Sequence, residues 1–193
     1  MLLSDREIRG LAHEGMISPF HSSLIRKRIG HGALSFGMSS YGYDLRLSPK
    51  EFFVFHHVPG TVMDPKNFNQ ENLRRIELIS GTQGSYFILP AHTYGLGVAI
   101  ERLEMPSNIT GVCLGKSTYA RLGIIVNTTP AEAGWEGHLT LEFSNSSGAD
   151  CRIYANEGVC QMLFYEGRPC SVSYADRNGK YQDQAEEVVF AKV

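Results

Sequence analysis

Short segments that alternate apolar and polar residues, separated by turn-forming residues, recur along most of this 193-residue sequence. Alternating side chains face opposite sides of a strand, and Gly, Pro, Asn and Ser favour the turns between strands. Turn signals at intervals of roughly 8–12 residues are typical of sandwiches and barrels. The sequence therefore predicts a mainly β fold. The predicted strands are Ser40–Leu47, Phe52–Phe55, Arg75–Ile79, Ser85–Leu89, Tyr94–Leu103, Ile109–Leu114, Gly123–Asn127, His138–Ser144, Arg152–Ala155 and Val159–Tyr165.

One short helix is predicted at the N-terminus. Ser4 and Glu7 form a capping-box pattern, and an apolar stripe follows them. Pro19 prevents the helix from continuing. Residues 21–40 are rich in Ser, His and Gly and have no clear period, so we predict a loop there.

Composition limits the classes of function. The length fits a single domain over residues 1–193, and the net charge of -2 argues against a general nucleic-acid binder. The four cysteines contain no CxxC pair, which suits a reducing compartment. The N-terminus lacks a signal-peptide pattern, and no apolar stretch approaches the roughly 20 residues of a membrane helix. We expect a cytoplasmic protein that binds neither nucleic acid nor membranes.

The segment Gly115–Arg121 combines hydroxyl groups and positive charges directly after a predicted strand. Ser117 and Thr118 stand at the start of a helical turn, where backbone amides favour anions. Lys116 offers a point charge, and Arg121 offers a planar fork for bidentate contacts. The first glycine of a P-loop is missing. The segment is either a phosphate-binding turn or an ordinary turn with surface charges.

A candidate catalytic carboxylate, Glu142, lies on the predicted strand His138–Ser144. Alternation puts the apolar residues on one face and Glu142 on the other, with Thr140. In a polar cleft, partial burial would raise the pKa of Glu142 and let it act as base and acid in turn. The alternative is a solvated glutamate, which is the usual environment of this residue type. Glu132, in the preceding loop, either converges on the same water or is unrelated, and Trp135 is predicted to anchor that loop by packing.

The zinc-binding patterns of known deaminases and hydrolases are absent from the sequence. There is no HExxH, and His138 is not followed by the glutamate of an HxE motif. Pro169-Cys170 lacks the second cysteine of PCxxC. Any deamination or hydrolysis is therefore expected to proceed without protein-bound zinc.

Five motifs follow one another along the chain, at Ser39–Asp44, Asp64–Phe68, Gly115–Arg121, Trp135–Asn145 and Tyr154–Gly158. Together they resemble the dCTP deaminase family within the trimeric dUTPase-like superfamily, and the similarity covers most of the chain. The resemblance implies a dUTPase-like distorted β-barrel or jelly roll with a short N-terminal helix and few other helical turns. It also implies hydrolysis of dCTP to dUTP and ammonia for pyrimidine deoxynucleotide biosynthesis. In that family the site lies between subunits of a homotrimer, magnesium accompanies the triphosphate, and dTTP is a candidate inhibitor.

The resemblance implies roles for particular residues. Glu142 matches the glutamate that shuttles protons between water and the cytosine ring, and Ser117 and Arg121 match residues that place the water and support the glutamate. Lys116 stands where many relatives have arginine. The polar tail, residues 170–193, would close over the nucleotide. The substrate-binding positions are Lys116, Ser117, Thr118, Tyr119, Ala120, Arg121, Thr140, Leu141, Glu142, Gln161, Tyr174, Lys180 and Gln184.

The loop before Trp135 bears on the product. Relatives that also cleave dUTP to dUMP use an acidic residue in this loop. Glu132 supplies a carboxylate, but the Gly-Ile lead-in of the dUTPase pattern is missing. We therefore expect a deaminase only. A bifunctional deaminase and dUTP diphosphatase, or a non-catalytic nucleotide-binding regulator, are the alternatives.

Overall fold

The computed structural model describes residues 1–28 and 31–192. It confirms the predicted mainly β fold, with one short N-terminal helix and few other helical turns. The helices are α1 (Asp5–His13) and α2 (Ser117–Ala120), with a 3-10 turn at Gln70–Asn72. The strands are β1 (Ile17–Ser18), β2 (Leu24–Arg28), β3 (His31–Ser39), β4 (Gly42–Phe55), β5 (Leu73–Ile76), β6 (Ile79–Gly81), β7 (Gly84–Leu89), β8 (Tyr94–Glu104), β9 (Ile109–Gly115), β10 (Ile124–Asn127), β11 (Glu136–Asn145), β12 (Cys151–Tyr154) and β13 (Gly158–Glu166).

A curled antiparallel sheet of ten strands forms most of the fold. Its main path runs β10-β11-β8-β4-β13-β9, and a second sheet has the order β12-β7-β6. The two ends of the main path come together, because a Cβ on Gly115 in β9 would lie 3.2 Å from the backbone nitrogen of Val126 in β10. The result is a distorted barrel around an apolar core. No helix of the described residues is long and apolar enough to cross a membrane.

Helix α1 begins as its sequence predicts. The backbone N–H and the hydroxyl of Ser4 donate to one carboxylate oxygen of Glu7 at 2.7 and 2.8 Å. Ile8 and Ala12 are buried, and Leu3 donates from its backbone to the carbonyl of Phe164 at 2.9 Å. The helix is thereby fixed to the end of the sheet.

Residues 29–30 of the predicted loop at 21–40 lie outside the described residues, and for most of the rest the prediction is wrong, because β2 and β3 pair there as antiparallel strands. Strand β3 also pairs with β4, with Gly37 opposite Asp44. Backbone pairing with a neighbouring strand stabilises this segment although its Gly- and Ser-rich sequence has low β propensity. The two strands predicted between Ser40 and Phe55 are likewise a single strand, β4.

Strand β11 has the alternating burial that its sequence predicts. Leu141 and Phe143 are fully buried, and the ring of Phe143 lies 5.2 Å from that of Phe52 in β4. Packing therefore fixes which face of β11 is turned away from the core. Glu142 and Thr140 lie on that other, half-buried face.

Candidate active site

A cavity of about 360 Å³ opens beside the half-buried face of β11. Its wall comes from strands β4, β8 and β11, from the loops after β4 and before β11, and from the C-terminal tail. The wall residues are Phe55, Phe68, Tyr94, Leu96, Thr128, Thr129, Pro130, Ala131, Glu132, Trp135, Leu139, Thr140, Glu142, Tyr174, Tyr181, Gln184, Val189 and Ala191. A mixed aromatic and polar lining of this size suits a small organic ligand.

Glu142 is placed in the cavity wall by the pairing of its strand on both sides. It lies opposite Leu96 of β8 and Asn127 of β10. Partial burial raises the pKa of its carboxyl group, because a charged carboxylate loses hydration there. A carboxyl group with a raised pKa can accept a proton and return it near neutral pH.

Tyr94 is a wall residue that the sequence reasoning missed. Its ring packs edge-on against Phe55 at a centroid distance of 5.1 Å. Burial, and secondarily the negative charge of Glu142, raise the pKa of the Tyr94 hydroxyl. The phenol therefore stays neutral and brings a hydrogen-bond donor to the same cavity.

The loop before β11 is held by the tail. Trp135 is buried, as predicted, and its indole N–H donates to the carbonyl of Tyr181 at 2.8 Å. Glu132 forms an ion pair with Arg177 of the tail. The loop and the tail thus form one side of the cavity together.

Residue Gln184 joins the tail to strand β11. Its carbonyl accepts a hydrogen bond from the backbone of His138 at 2.9 Å, and its side-chain oxygen accepts one from the Thr140 hydroxyl at 3.2 Å. Gly137 packs directly against the backbone of Gln184. It has φ 131°, and a Cβ there would lie 2.5 Å from the Gln184 nitrogen. The backbone of Val189 donates to the Thr140 hydroxyl at 3.1 Å.

Further contacts fix the tail on either side of Gln184. Asp183 pairs with Arg102 of β8 at 2.9 Å, and Glu186 pairs with Lys50 of β4 at 2.6 Å. Tyr174 accepts a hydrogen bond on its hydroxyl from the backbone of Tyr181 at 3.1 Å. The tail, which the family resemblance predicts to close over the nucleotide, here lies along the sheet.

A second polar cluster surrounds Lys116, just after β9. The Lys116 ammonium forms an ion pair with Asp44 of β4. The side-chain amide of Gln161 donates to the other carboxylate oxygen of Asp44 and to the Ser39 hydroxyl, each at 3.1 Å. Two predicted substrate-binding residues, Lys116 and Gln161, are therefore in one cluster.

Helix α2 presents most of the predicted turn to solvent. Arg121 donates to the carbonyl of Ser117 at 2.9 Å, which folds the guanidinium over the turn. Tyr119 differs, because its side chain is in the core and its hydroxyl accepts a hydrogen bond from the Tyr154 backbone at 2.9 Å. Only the backbone of Tyr119 could face a ligand. The exposed residues of the turn are Ser117, Thr118, Ala120 and Arg121.

The predicted site residues thus fall in two places within one chain. Glu142, Thr140, Tyr174 and Gln184 line the cavity, whereas the described wall includes no residue of α2 and neither Lys116 nor Gln161. The Leu141 side chain points into the core, which leaves its backbone for a ligand. Lys180 is exposed outside the cavity, and its ammonium contacts the carbonyl of Lys192.

Comparison with known proteins agrees with this architecture. The model of the dCTP deaminase-like family matches residues 2–167. The dCTP deaminase of Campylobacter curvus (strain 525.92) is 48% identical over 185 residues, which are 95% of this chain and 94% of that one. The dCTP deaminase of Acidovorax sp. (strain JS42) is 49% identical over 183 residues, 94% of each chain.

A solved structure is similar in fold. The 2'-deoxycytidine 5'-triphosphate deaminase of Agrobacterium tumefaciens superposes with a TM-score of 0.59 at 18% identity. The match covers 86% of this chain and 48% of that one, so this chain spans about half its length. Together with the family match and the close relatives, these findings establish that the chain belongs to the dCTP deaminase-like family.

Proposed function

We propose that the protein hydrolyses dCTP to dUTP and ammonia, with Glu142 as the proton shuttle. The observation that carries the proposal is the partly buried Glu142, with its raised pKa, in the wall of a cavity of ligand size. Relatives at about 48% identity that bear the name dCTP deaminase support the choice of substrate.

The chemistry needs one carboxylate that accepts a proton and gives it up again, twice in each turnover. Glu142 accepts a proton from water while the water oxygen bonds to C4 of cytosine, and passes it to N3 of the ring. Glu142 then takes the proton of the new C4 hydroxyl and gives it to the amino group, so that the C4–N bond breaks and ammonia leaves as the C4=O bond forms. Ser117 and Arg121 are proposed to place the water and support the carboxylate.

Magnesium is proposed to bind with the substrate. Within residues 1–28 and 31–192, no cluster of three or more His, Cys, Asp or Glu could hold a metal. Proteins commonly bind magnesium through one or two carboxylates, substrate phosphate oxygens and water, so the proposed ion would be held mainly by the triphosphate. When bound, the ion neutralises phosphate charge. The absence of zinc motifs from the sequence supports a mechanism without protein-bound zinc.

The active unit is proposed to be a homotrimer with sites between subunits. In one chain, Glu142 lies in the cavity wall while Arg121 lies on the exposed turn. Three large apolar side chains on and beside this turn are also exposed, Leu114 at 48%, Leu122 at 56% and Ile125 at 55%. Contact with a second copy would cover them and could bring the turn of one chain to the cavity of its neighbour.

Deamination is proposed as the only reaction. The carboxylate that a second, diphosphatase step would use, Glu132, is engaged by Arg177. A bifunctional enzyme remains the alternative, because this pair is half-exposed and such pairs are weak. The cytoplasmic location and inhibition by dTTP also stay predictions.

Product analysis tests the proposal. Purified protein is incubated with dCTP and magnesium, and the nucleotides are separated by ion-exchange chromatography. We expect dUTP and ammonia in equal amounts. Accumulation of dUMP and pyrophosphate would establish the bifunctional alternative, and Glu132→Gln would then be the first variant to examine.

Binding without turnover would favour the regulator alternative. A ligand at 100 times its dissociation constant stabilises a protein by about 2.7 kcal/mol. A thermal-shift titration with dCTP that shows such stabilisation, without release of ammonia, would identify a nucleotide-binding protein that does not catalyse. No shift and no product would contradict both functions.

A further inference from the structure

We propose that Asp44 is a positioning residue, which holds Lys116 and Gln161 in the orientation that receives the substrate's phosphate groups. The proposal rests on the proposed function, since it deepens the triphosphate-binding part of that site. Asp44 was not among the predicted site residues.

The sheet register brings the three residues together from neighbouring strands. Asp44 of β4 lies opposite Gln161 of β13, and Gln161 lies opposite Leu114 of β9. Lys116 follows two residues after Leu114, directly past the end of β9. Backbone pairing thus sets the spacing between the carboxylate and its two partners.

Both oxygens of the Asp44 carboxylate are occupied by these partners. One forms the ion pair with the Lys116 ammonium, and the other accepts the Gln161 amide at 3.1 Å. The side chains of Asp44 and Lys116 are only 6% and 11% exposed. A carboxylate this buried needs such partners, because its lost hydration must be replaced.

The position of the Lys116 ammonium, between the Asp44 carboxylate and an incoming phosphate, favours phosphate binding. An ammonium group has three donors, and the contact with Asp44 uses one of them. A phosphate on the far side of Lys116 would be in direct contact with the cation but about twice as far from the carboxylate, so attraction exceeds repulsion. The ion pair also fixes a flexible side chain before the ligand arrives, which lowers the entropy cost of binding.

The opposite role is that Asp44 competes with phosphate for Lys116. The two roles predict opposite results for Asp44→Asn, which keeps the shape of the side chain and an oxygen for Gln161. Positioning predicts weaker phosphate binding in this variant. Competition predicts tighter binding.

A double-mutant cycle with inorganic tripolyphosphate tests the inference without the nucleoside. Binding to the full-length protein is measured by isothermal titration calorimetry for the wild type, Asp44→Asn, Lys116→Gln and the double variant. We expect Asp44→Asn to weaken binding about tenfold, or about 1.4 kcal/mol. In the Lys116→Gln background the same substitution should have no further effect, because Asp44 acts through Lys116.

Two controls guard against a purely structural effect. Glu157→Gln removes another buried carboxylate, which accepts the backbone N–H of Leu34 at 2.8 Å, and should leave tripolyphosphate binding unchanged. The double variant replaces the ion pair by two neutral amides, so its thermal unfolding shows whether the cluster still folds. With dCTP, we expect Asp44→Asn to raise KM about tenfold and to change kcat far less.

The outcomes separate this inference from the proposed function. Tripolyphosphate binding that follows the cycle, in a protein that does not deaminate dCTP, would uphold the inference and refute the function. Unchanged or tighter tripolyphosphate binding by Asp44→Asn would overturn the inference. It would also be overturned if Asp44→Asn weakened binding as much in the Lys116→Gln background as in the wild type. Failure of the wild type to bind tripolyphosphate would overturn it as well.

Discussion

Replacing Gly137 by alanine should detach the tail from strand β11, which carries the proposed proton shuttle Glu142. The backbone of Gly137 has φ 131°, which L-residues rarely adopt, and a Cβ there would lie 2.5 Å from the nitrogen of Gln184. That nitrogen is backbone, so no side-chain rotation can relieve the clash. Either β11 or the tail must move.

The cost can be worked out from the contacts that would break. A strained positive φ costs about 1–2 kcal/mol in a residue with a Cβ. The hydrogen bonds from His138 to Gln184 at 2.9 Å and from Asp183 to Glu136 at 3.0 Å hold the tail at this point. Each contributes a net ~0.5–1.5 kcal/mol. Docking of the tail should therefore weaken by about 2–5 kcal/mol, or roughly 30-fold to several thousandfold.

Limited trypsin digestion measures this loss directly, because Arg177 and Lys180 of the tail are exposed. We expect Gly137→Ala to be cleaved in the tail much faster than the wild type, while the rest of the chain stays resistant. Gly167→Ala is the matched control, since a Cβ at Gly167 meets no atom within 4 Å. Equal cleavage rates for Gly137→Ala and the wild type would refute the reasoning that this glycine holds the tail.

Three other predictions follow from the site and the core. Burial raises the pKa of Glu142 above its value in the unfolded chain, so ionised Glu142 destabilises the fold. Urea titrations should show Glu142→Gln more stable than the wild type at pH 8, and the difference should disappear below the pKa of an unfolded glutamate, about pH 4. Arg46 contacts the fully buried Glu101 at 2.7 Å, so Arg46→Met leaves that carboxylate without its partner. The unfolding free energy should fall by about 3–5 kcal/mol, and the double variant Arg46→Met/Glu101→Leu should recover most of the lost stability. Glu142→Gln and Arg121→Ala subunits can be mixed in equal amounts and allowed to exchange. If each site takes Glu142 from one chain and Arg121 from its neighbour, about a quarter of the sites carry both native residues, and about a quarter of the wild-type activity should return. No recovery after verified subunit exchange would place both residues in one chain's site.

Strand β11 could be predicted from the sequence because one of its faces packs against the core. The alternation of Leu139, Leu141 and Phe143 with polar residues fixed both the strand and the side on which Glu142 lies. The pairing of β2 with β3 was missed, because Ser, His and Gly are frequent around it and its apolar alternation is short. Phe36 and Met38 of β3 are nevertheless buried, with Gly37 between them, and β3 also pairs with β4.

The candidate site was predictable in part. Glu142 lies on a strand with a clear apolar alternation, Gln184 was predicted from the family resemblance, and both line the cavity. Phe55 and Tyr94 were missed, since their contact with each other arises only when β4 and β8 pair. Asp44 is the last residue of the motif Ser39–Asp44, but its role could not be predicted because its partner Lys116 lies 72 positions away along the chain.

Release of ammonia by Glu142→Gln tests the central claim most directly. The glutamine keeps the size of the side chain but can no longer accept a proton from water. We predict that this variant still binds dCTP, as measured by thermal shift, while the rate of ammonia release falls by about 10²–10⁴-fold. Glu166→Gln, an exposed carboxylate at the end of β13, should behave as the wild type. Ammonia release by Glu142→Gln at the wild-type rate would contradict the account.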